Sequence, residues 1–249
     1  MTTKVTINHL ATGVPGLDEM LGGGLPQGYF LLVAGPSGSG RSILAAAFLA
    51  QGVSEGETGV IAVFEQRPNY SQSAALAQLI ENGTVGLVDC RASDLSIDEI
   101  VQLLLKDVRR KKATRVVIDS LSGFELALAP TFRESLSRMV TALTHAGVTV
   151  LMTSELEDRY TDLRFSPYGA AFLTDAIVVQ RYIEVRSRLL RIMAVVNVRA
   201  SLHCDELRLY RITDEGILIG DMLDDQEGLL GGSSTRLHVE APRPGGGQA

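Results

Sequence analysis

The chain has 249 residues, 45% of them hydrophobic, and a formal net charge of −6. That is enough apolar sequence for a sizeable core, while the acidic balance argues against a sequence-independent grip on nucleic acid, which needs a basic surface. Two scattered cysteines, Cys90 and Cys204, exclude a disulfide framework; with no apolar run long enough to cross a bilayer and no apolar signal core, a cytoplasmic protein is expected.

Residues 1–10 read as a short edge strand, and 12–21 as a turn followed by a short helix that Gly22-Gly23-Gly24-Leu25-Pro26 breaks. The apolar run 29–34 reads as a buried strand. Gly35-Pro36-Ser37-Gly38-Ser39-Gly40-Arg41-Ser42 follows, and the alanine-rich run 43–49 reads as a helix. Strand, glycine-rich loop and helix form the context of a phosphate-binding P-loop. Backbone N–H groups of such a loop turn toward phosphate oxygens, and the helix N-terminus adds partial positive charge. The candidate phosphate contacts are Gly38, Ser39, Gly40, Arg41, Ser42 and Ile43. Ser42 is placed to offer its hydroxyl to Mg²⁺. Arg41 stands where such loops carry lysine; it keeps the charge, but a planar fork is a poorer compact point charge than an ammonium.

Strands are expected over 59–64, 85–90, 115–119 and 148–153, separated by helices over 69–80, 100–112 and 131–145. Ser96-Ile97-Asp98-Glu99 and Thr131-Phe132-Arg133-Glu134 read as capping boxes opening the last two helices, and Asn82-Gly83 as a C-cap. The basic run Arg109-Arg110-Lys111-Lys112 ends a helix, where it complements the dipole. Alternation of strand and helix predicts a mostly parallel sheet with helices on both faces. Residues 155–172 are polar and irregular. Strand-like runs at 176–184, 189–198 and 207–213, joined by short turns, predict an antiparallel extension of the same sheet. From residue 221 the composition drifts to Gly, Ser, Pro and charge, and 241–249 reads as disordered. Without repeat or linker, the chain reads as one α/β domain over 1–236 with a flexible tail over 237–249.

Asp119 ends an apolar strand, where P-loop proteins place the carboxylate that holds the Mg²⁺ shell; the competing reading is a turn aspartate. Glu65 ends the strand before it, where a carboxylate could orient the attacking water or could be a plain strand-end charge. Met139 and Met152 sit in core-like runs, and His9 and His145 lack partners at metal-ligand spacing.

These pieces resemble RecA-superfamily ATPases of the KaiC type. The matching stretches are Thr12-Gly13-Val14-Pro15-Gly16-Leu17-Asp18, Gly23-Gly24-Leu25-Pro26, the P-loop, Phe64-Glu65, Val117-Ile118-Asp119-Ser120, Thr153-Ser154-Glu155, Arg181-Tyr182-Ile183-Glu184-Val185-Arg186 and Ile212-Thr213-Asp214-Glu215-Gly216. With Gly232-Ser233-Ser234-Thr235-Arg236, the later ones look most like the C-terminal of KaiC's two modules. The resemblance implies a ring, usually a hexamer, with ATP and Mg²⁺ at subunit interfaces. It implies that the strand carrying Asn197, Val198 and Arg199 reaches the neighbour's γ-phosphate, and that the segment from Ser201 through His203 to Asp214 lines the nucleotide from that side. Glu65 and Arg199 are then the candidate catalytic residues, and Ser42 and Asp119 the metal residues.

The sequence departs from the family pattern at four places. The P-loop lysine is Arg41, the second glutamate of the catalytic pair is Gln66, the finger lysine is Asn197, and the phosphorylated Ser-Thr pair is Ala171-Phe172. The first three weaken charge stabilisation or water activation; the fourth removes the acceptor hydroxyls of a clock-type autokinase. The expected function is a slow, ring-forming, regulatory ATPase with signalling protein partners. A second reading is a nucleotide-sensing scaffold without chemistry. A third, a recombinase-like DNA filament protein, conflicts with the acidic balance and the lack of a basic, aromatic-interleaved loop.

Overall fold

The computed structural model describes residues 8–64, 74–91, 95–156, 173–185, 187–222, 226–227 and 235–236. In chain order its elements are β1 (His9–Leu10), α1 (Pro15–Met20), β2 (Leu25–Pro26), β3 (Phe30–Gly35), α2 (Arg41–Ser54), β4 (Gly59–Val63), α3 (Ala74–Glu81) and β5 (Val85–Asp89). Next come α4 (Ile97–Lys111), β6 (Arg115–Asp119), α5 (Leu121–Leu128), a 3₁₀ turn (Ala129–Thr131), α6 (Phe132–Ala146) and β7 (Thr149–Glu155). The last part holds β8 (Ala176–Val185), β9 (Arg188–Val198), β10 (Arg208–Thr213), β11 (Gly216–Met222), β12 (Gln226–Glu227) and β13 (Thr235–Arg236).

Nine strands form one sheet in the order β11-β10-β9-β8-β3-β7-β6-β4-β5. The run from β8 to β5 is parallel, and β9, β10 and β11 add antiparallel neighbours. The expected mixed architecture is therefore the one observed. β3 lies in the parallel part with helices over both faces, which is why its sequence is apolar throughout rather than alternating. Phe30, Leu32 and Ala34 enter the core beneath α4, α5 and α6, while Leu31 and Val33 enter the core beneath α1, α2 and α3. Met139 and Met152 are fully buried packing residues in the first of these cores.

Several boundaries differ from the sequence reading, each for a local reason. The Ser96 capping box forms, with Ser96 and Glu99 bonding reciprocally. The one expected at Thr131 does not: Thr131 has no cap bond, because a 3₁₀ turn runs straight into α6 and its hydroxyl meets that of Ser135 at 3.1 Å. α5 is an element the sequence reading does not include; Ser120 caps it by accepting from the Gly123 N–H at 3.2 Å. β11 extends past the point where the composition turns polar, because it is a sheet edge with one face toward water. β1 pairs with β2 in a small separate ribbon. Its neighbouring Thr12–Asp18 motif is a folding device: the Asp18 carboxylate accepts from the Thr12 N–H at 2.8 Å, and its carbonyl takes the N–H groups of Gly23 and Gly24.

Candidate functional site

β3 ends at Gly35 and the loop turns into α2 through Gly38 (φ 75°) and Gly40 (φ 97°), backbone angles that favour glycine. Space is tight there as well. A Cβ on Gly38 would come within 3.0 Å of the Tyr182 hydroxyl, and one on Gly40 within 3.0 Å of Ile212. Gly40 is the N-cap and supplies no side-chain cap to α2. The first-turn N–H groups thus face outward as a helix N-terminus suited to an anion.

Three side chains from β8 and β10 brace this loop. Gln180 on β8, fully buried, accepts from the Ser39 hydroxyl at 3.0 Å. Tyr210 on β10 donates to the Ser39 carbonyl at 2.6 Å, and burial pushes its phenol pKa up. Tyr182 on β8 donates to the Ser37 carbonyl at 3.3 Å, with the Arg191 guanidinium stacked over its ring at 5.2 Å. None of these was given a bracing role from sequence. They lie about 140 residues or more beyond the loop, and only strand register, which places β8 beside β3, could have revealed them.

Across the tip of β6, Asp119 meets the loop. The Ser42 hydroxyl lies 3.4 Å from Asp119 Oδ2, and the Thr153 hydroxyl donates to Oδ1 at 2.5 Å. The Asp119–Ser120 peptide is cis. Thr153 thus fixes the carboxylate with one oxygen turned to Ser42. Hydroxyl and carboxylate oxygens suit Mg²⁺, which takes few protein ligands and completes its shell with phosphate and water. Among the described residues no cluster of three His, Cys, Asp or Glu side chains could hold a metal unaided. The Arg41 guanidinium is largely buried and lies 3.9 Å from Glu155 at the end of β7. Ile43 follows in α2, half-buried against the core. Glu65 and Gln66, like Ala171 and Phe172, lie outside the described residues.

The remaining candidates divide between the two ends of the sheet. Asn197 and Val198 close β9, which runs antiparallel to β8, so they lie beside the amino end of β3. There the Arg199 N–H donates to the Asp175 carbonyl at 2.7 Å and its guanidinium lies 3.3 Å from the Asp175 carboxylate. Asp175 in turn accepts from the Phe30 N–H at 3.0 Å. Ser201 and His203 follow in the same region, where the Cys204 N–H donates to the Met20 carbonyl at 2.8 Å. His203 Nδ1 is buried without a hydrogen-bond partner among the described residues. Asp214 instead sits in the turn from β10 to β11, at the P-loop end, one turn away from the Ile212 and Ile217 side chains that face Gly40. The five residue steps of β3 from Phe30 to Gly35 set Arg199 about 16 Å along the strand from the chain's own P-loop.

The sequence matches the family model "ATPase: KaiC" over residues 10–224. The circadian clock oscillator protein KaiC of Thermostichus vulcanus is 26% identical over 247 residues, covering 96% of this chain and 48% of that protein. The circadian clock protein KaiC3 of a Synechocystis strain is 30% identical over 232 residues, covering 86% of this chain and 46% of that protein. The chain thus spans about half the length of the curated relatives it matches. The crystal structure of the KaiC-like protein PH0186 from Pyrococcus horikoshii superimposes with a TM-score of 0.77 at 27% identity, covering 86% of this chain and all of that one.

Proposed function

Because the chain belongs to the KaiC ATPase family, we propose that it binds ATP with Mg²⁺ at the Gly35–Ser42 loop, hydrolyses it slowly, and does so in a ring whose subunits share each nucleotide. The observation that carries the binding reading is the convergence of Ser42 and Asp119, 77 positions apart in sequence, at the mouth of the loop. Bound there, Mg²⁺ would neutralise charge on the phosphoryl oxygens. The chain's own groups do the rest. The first turn of α2 cradles phosphate, Thr153 orients Asp119, and Arg41 brings positive charge, shared with Glu155. Glu65 is the proposed group for orienting water.

The ring reading rests on the placement of Arg199. At about 16 Å along β3 from the loop, it cannot serve the same phosphate group as its own P-loop, so a role at a γ-phosphate requires a second copy. Asn197, Val198, Ser201 and His203 cluster at that same end and belong to the same proposed half-site, whereas Asp214 lies by its own chain's loop. A regulatory role fits slow turnover, with the state of the nucleotide setting assembly and the choice of protein partner.

The test pairs binding with turnover. ATP·Mg²⁺ is expected to raise the melting temperature, and Ser42→Ala or Asp119→Ala to abolish that rise; an unchanged rise in both overturns the site. Phosphate release is expected to increase in the series Arg41→Lys, Gln66→Glu and Asn197→Lys. Restoring one electrostatic group is worth up to about 10²–10³ in rate, and the steps need not be additive. ATP binding without any phosphate release, before or after restoration, would identify a nucleotide-sensing scaffold instead.

A further inference from the structure

We propose that the outward face of α4 is a docking surface for an acidic segment of a partner protein. Ile100, Leu104 and Val108 bury one side of this helix. Gln102, Leu105, Lys106, Arg109 and Arg110 line a shallow groove on another side. Their spacing is that of a single helical stripe two turns long, about 12 Å. Between Lys106 and Lys112 the chain carries five cations and one carboxylate, Asp107. Asp107 pairs with Arg110 at 3.0 Å, and Lys111 donates to the Gly83 carbonyl. The side chains of Lys106, Arg109 and Lys112 have neither an ion-pair nor a hydrogen-bond partner among the described residues, and all three residues are exposed.

A helix C-terminus carries the equivalent of about half a negative charge, which a single cation satisfies. The surplus here is several times that, on a chain whose net charge is −6. Two features choose the occupant. Leu105 is half-buried in the floor of the groove with cations beside it, so the complementary surface is apolar at its centre and acidic at its flanks, as a protein segment can be and a phosphate backbone is not. No aromatic side chain lines the groove to stack a base, and the acidic remainder of the molecule repels a long polyanion. The site is also remote from the proposed nucleotide interface. α4 packs on β4 and β5 at one edge of the sheet, and β5 and β9 are six strand steps apart, roughly 29 Å. A ring built through Arg199 and the P-loop therefore does not need this face.

The test is fluorescence anisotropy of a labelled Asp/Glu-rich peptide carrying leucines, titrated with the full chain and with Lys106→Glu/Arg109→Glu. The peptide should bind, weaken as salt is added, and lose about tenfold or more in affinity in the double variant, whose thermal melt and response to ATP should match the parent. Arg188→Glu, a charge reversal at the far hairpin outside the groove, should leave the affinity unchanged. Lys106→Gln/Arg109→Gln should show an intermediate loss and carries the test if the charge reversal does not fold. Absence of binding, equal binding by the double variant, or an equal loss in Arg188→Glu overturns the proposal. A single-stranded oligonucleotide or anionic vesicle that uses Lys106 and Arg109 in preference to the peptide overturns it too.

Discussion

At position 115 a guanidinium is 1% exposed, and every direction around it is occupied. It donates to the Ala11 and Phe48 carbonyls at 2.6 and 3.0 Å and to Glu57 and Glu55 at 2.7 and 2.9 Å, and it lies over the Phe48 ring. Satisfied this completely, a buried charge is tolerated; stripped of a partner it is costly. Burial pushes the Glu57 carboxyl up, but hydrogen bonds from Arg115 and Thr114, with the guanidinium charge, outweigh it and hold the pKa below its ordinary value of 4.5. A depressed folded-state pKa contributes stability that is present above 4.5 and lost as pH falls through the lower, folded value. Glu57→Gln should therefore lower the unfolding free energy at neutral pH by about 1–3 kcal/mol and flatten its decline below pH 4.5. Urea midpoints measured against pH decide it, and parallel curves for both proteins would refute this account. The P-loop residues were legible because their chemistry depends on a contiguous spacing. Arg115 was not, because its four partner residues come from three separate stretches of chain.

Among the elements, β10 shows how the antiparallel extension supports the loop. Its Tyr210 hydroxyl is the buried donor to the Ser39 carbonyl. Tyr210→Phe leaves that carbonyl unpaired and should destabilise the fold by about 1–3 kcal/mol. It should also shrink the melting-temperature rise produced by ATP·Mg²⁺, because the loop loses a brace. A variant that melts lower yet keeps the full rise would show that β10 supports the fold without tuning the loop. The central strands could be placed from sequence since burial on both faces leaves an unbroken apolar run, as in 116–118. α4 could be placed from its cap and its stripe of Ile100, Leu104 and Val108. α5 and β11 could not: α5 is short, with Leu126 facing water, and β11 buries only Ile217. Cap chemistry at Thr131 was misleading because a neighbour one turn on, the hydroxyl of Ser135, took the oxygen that a capping box would use.

For the molecule as a whole, the parallel sheet has a direction. P-loop and Asp119 lie at the carboxyl ends of its strands, Asn197 and Arg199 beside the amino ends. In the proposed assembly each copy gives one half-site forward and another backward. Ser42→Ala and Arg199→Ala subunits should each be inactive alone, yet mixing them should restore phosphate release, because an intact loop then meets an intact arginine. Failure to restore activity in mixtures that demonstrably co-assemble would place catalysis within one chain. The overall architecture was legible from the order of strands and helices. Which candidates lie level with which end of β3 was not, since that depends on the pairing register of β8 against β3 and of β9 against β8.

The same direction in the sheet makes closure a matter of counting. A row of such subunits with free ends always leaves one loop facing no arginine and one arginine facing no loop, whatever its length. Bending the row until its ends meet adds one complete pocket at no cost in material. Scarce nucleotide should therefore favour open fragments and abundant nucleotide the closed circle, so that the protein's shape would report the energy supply of its surroundings.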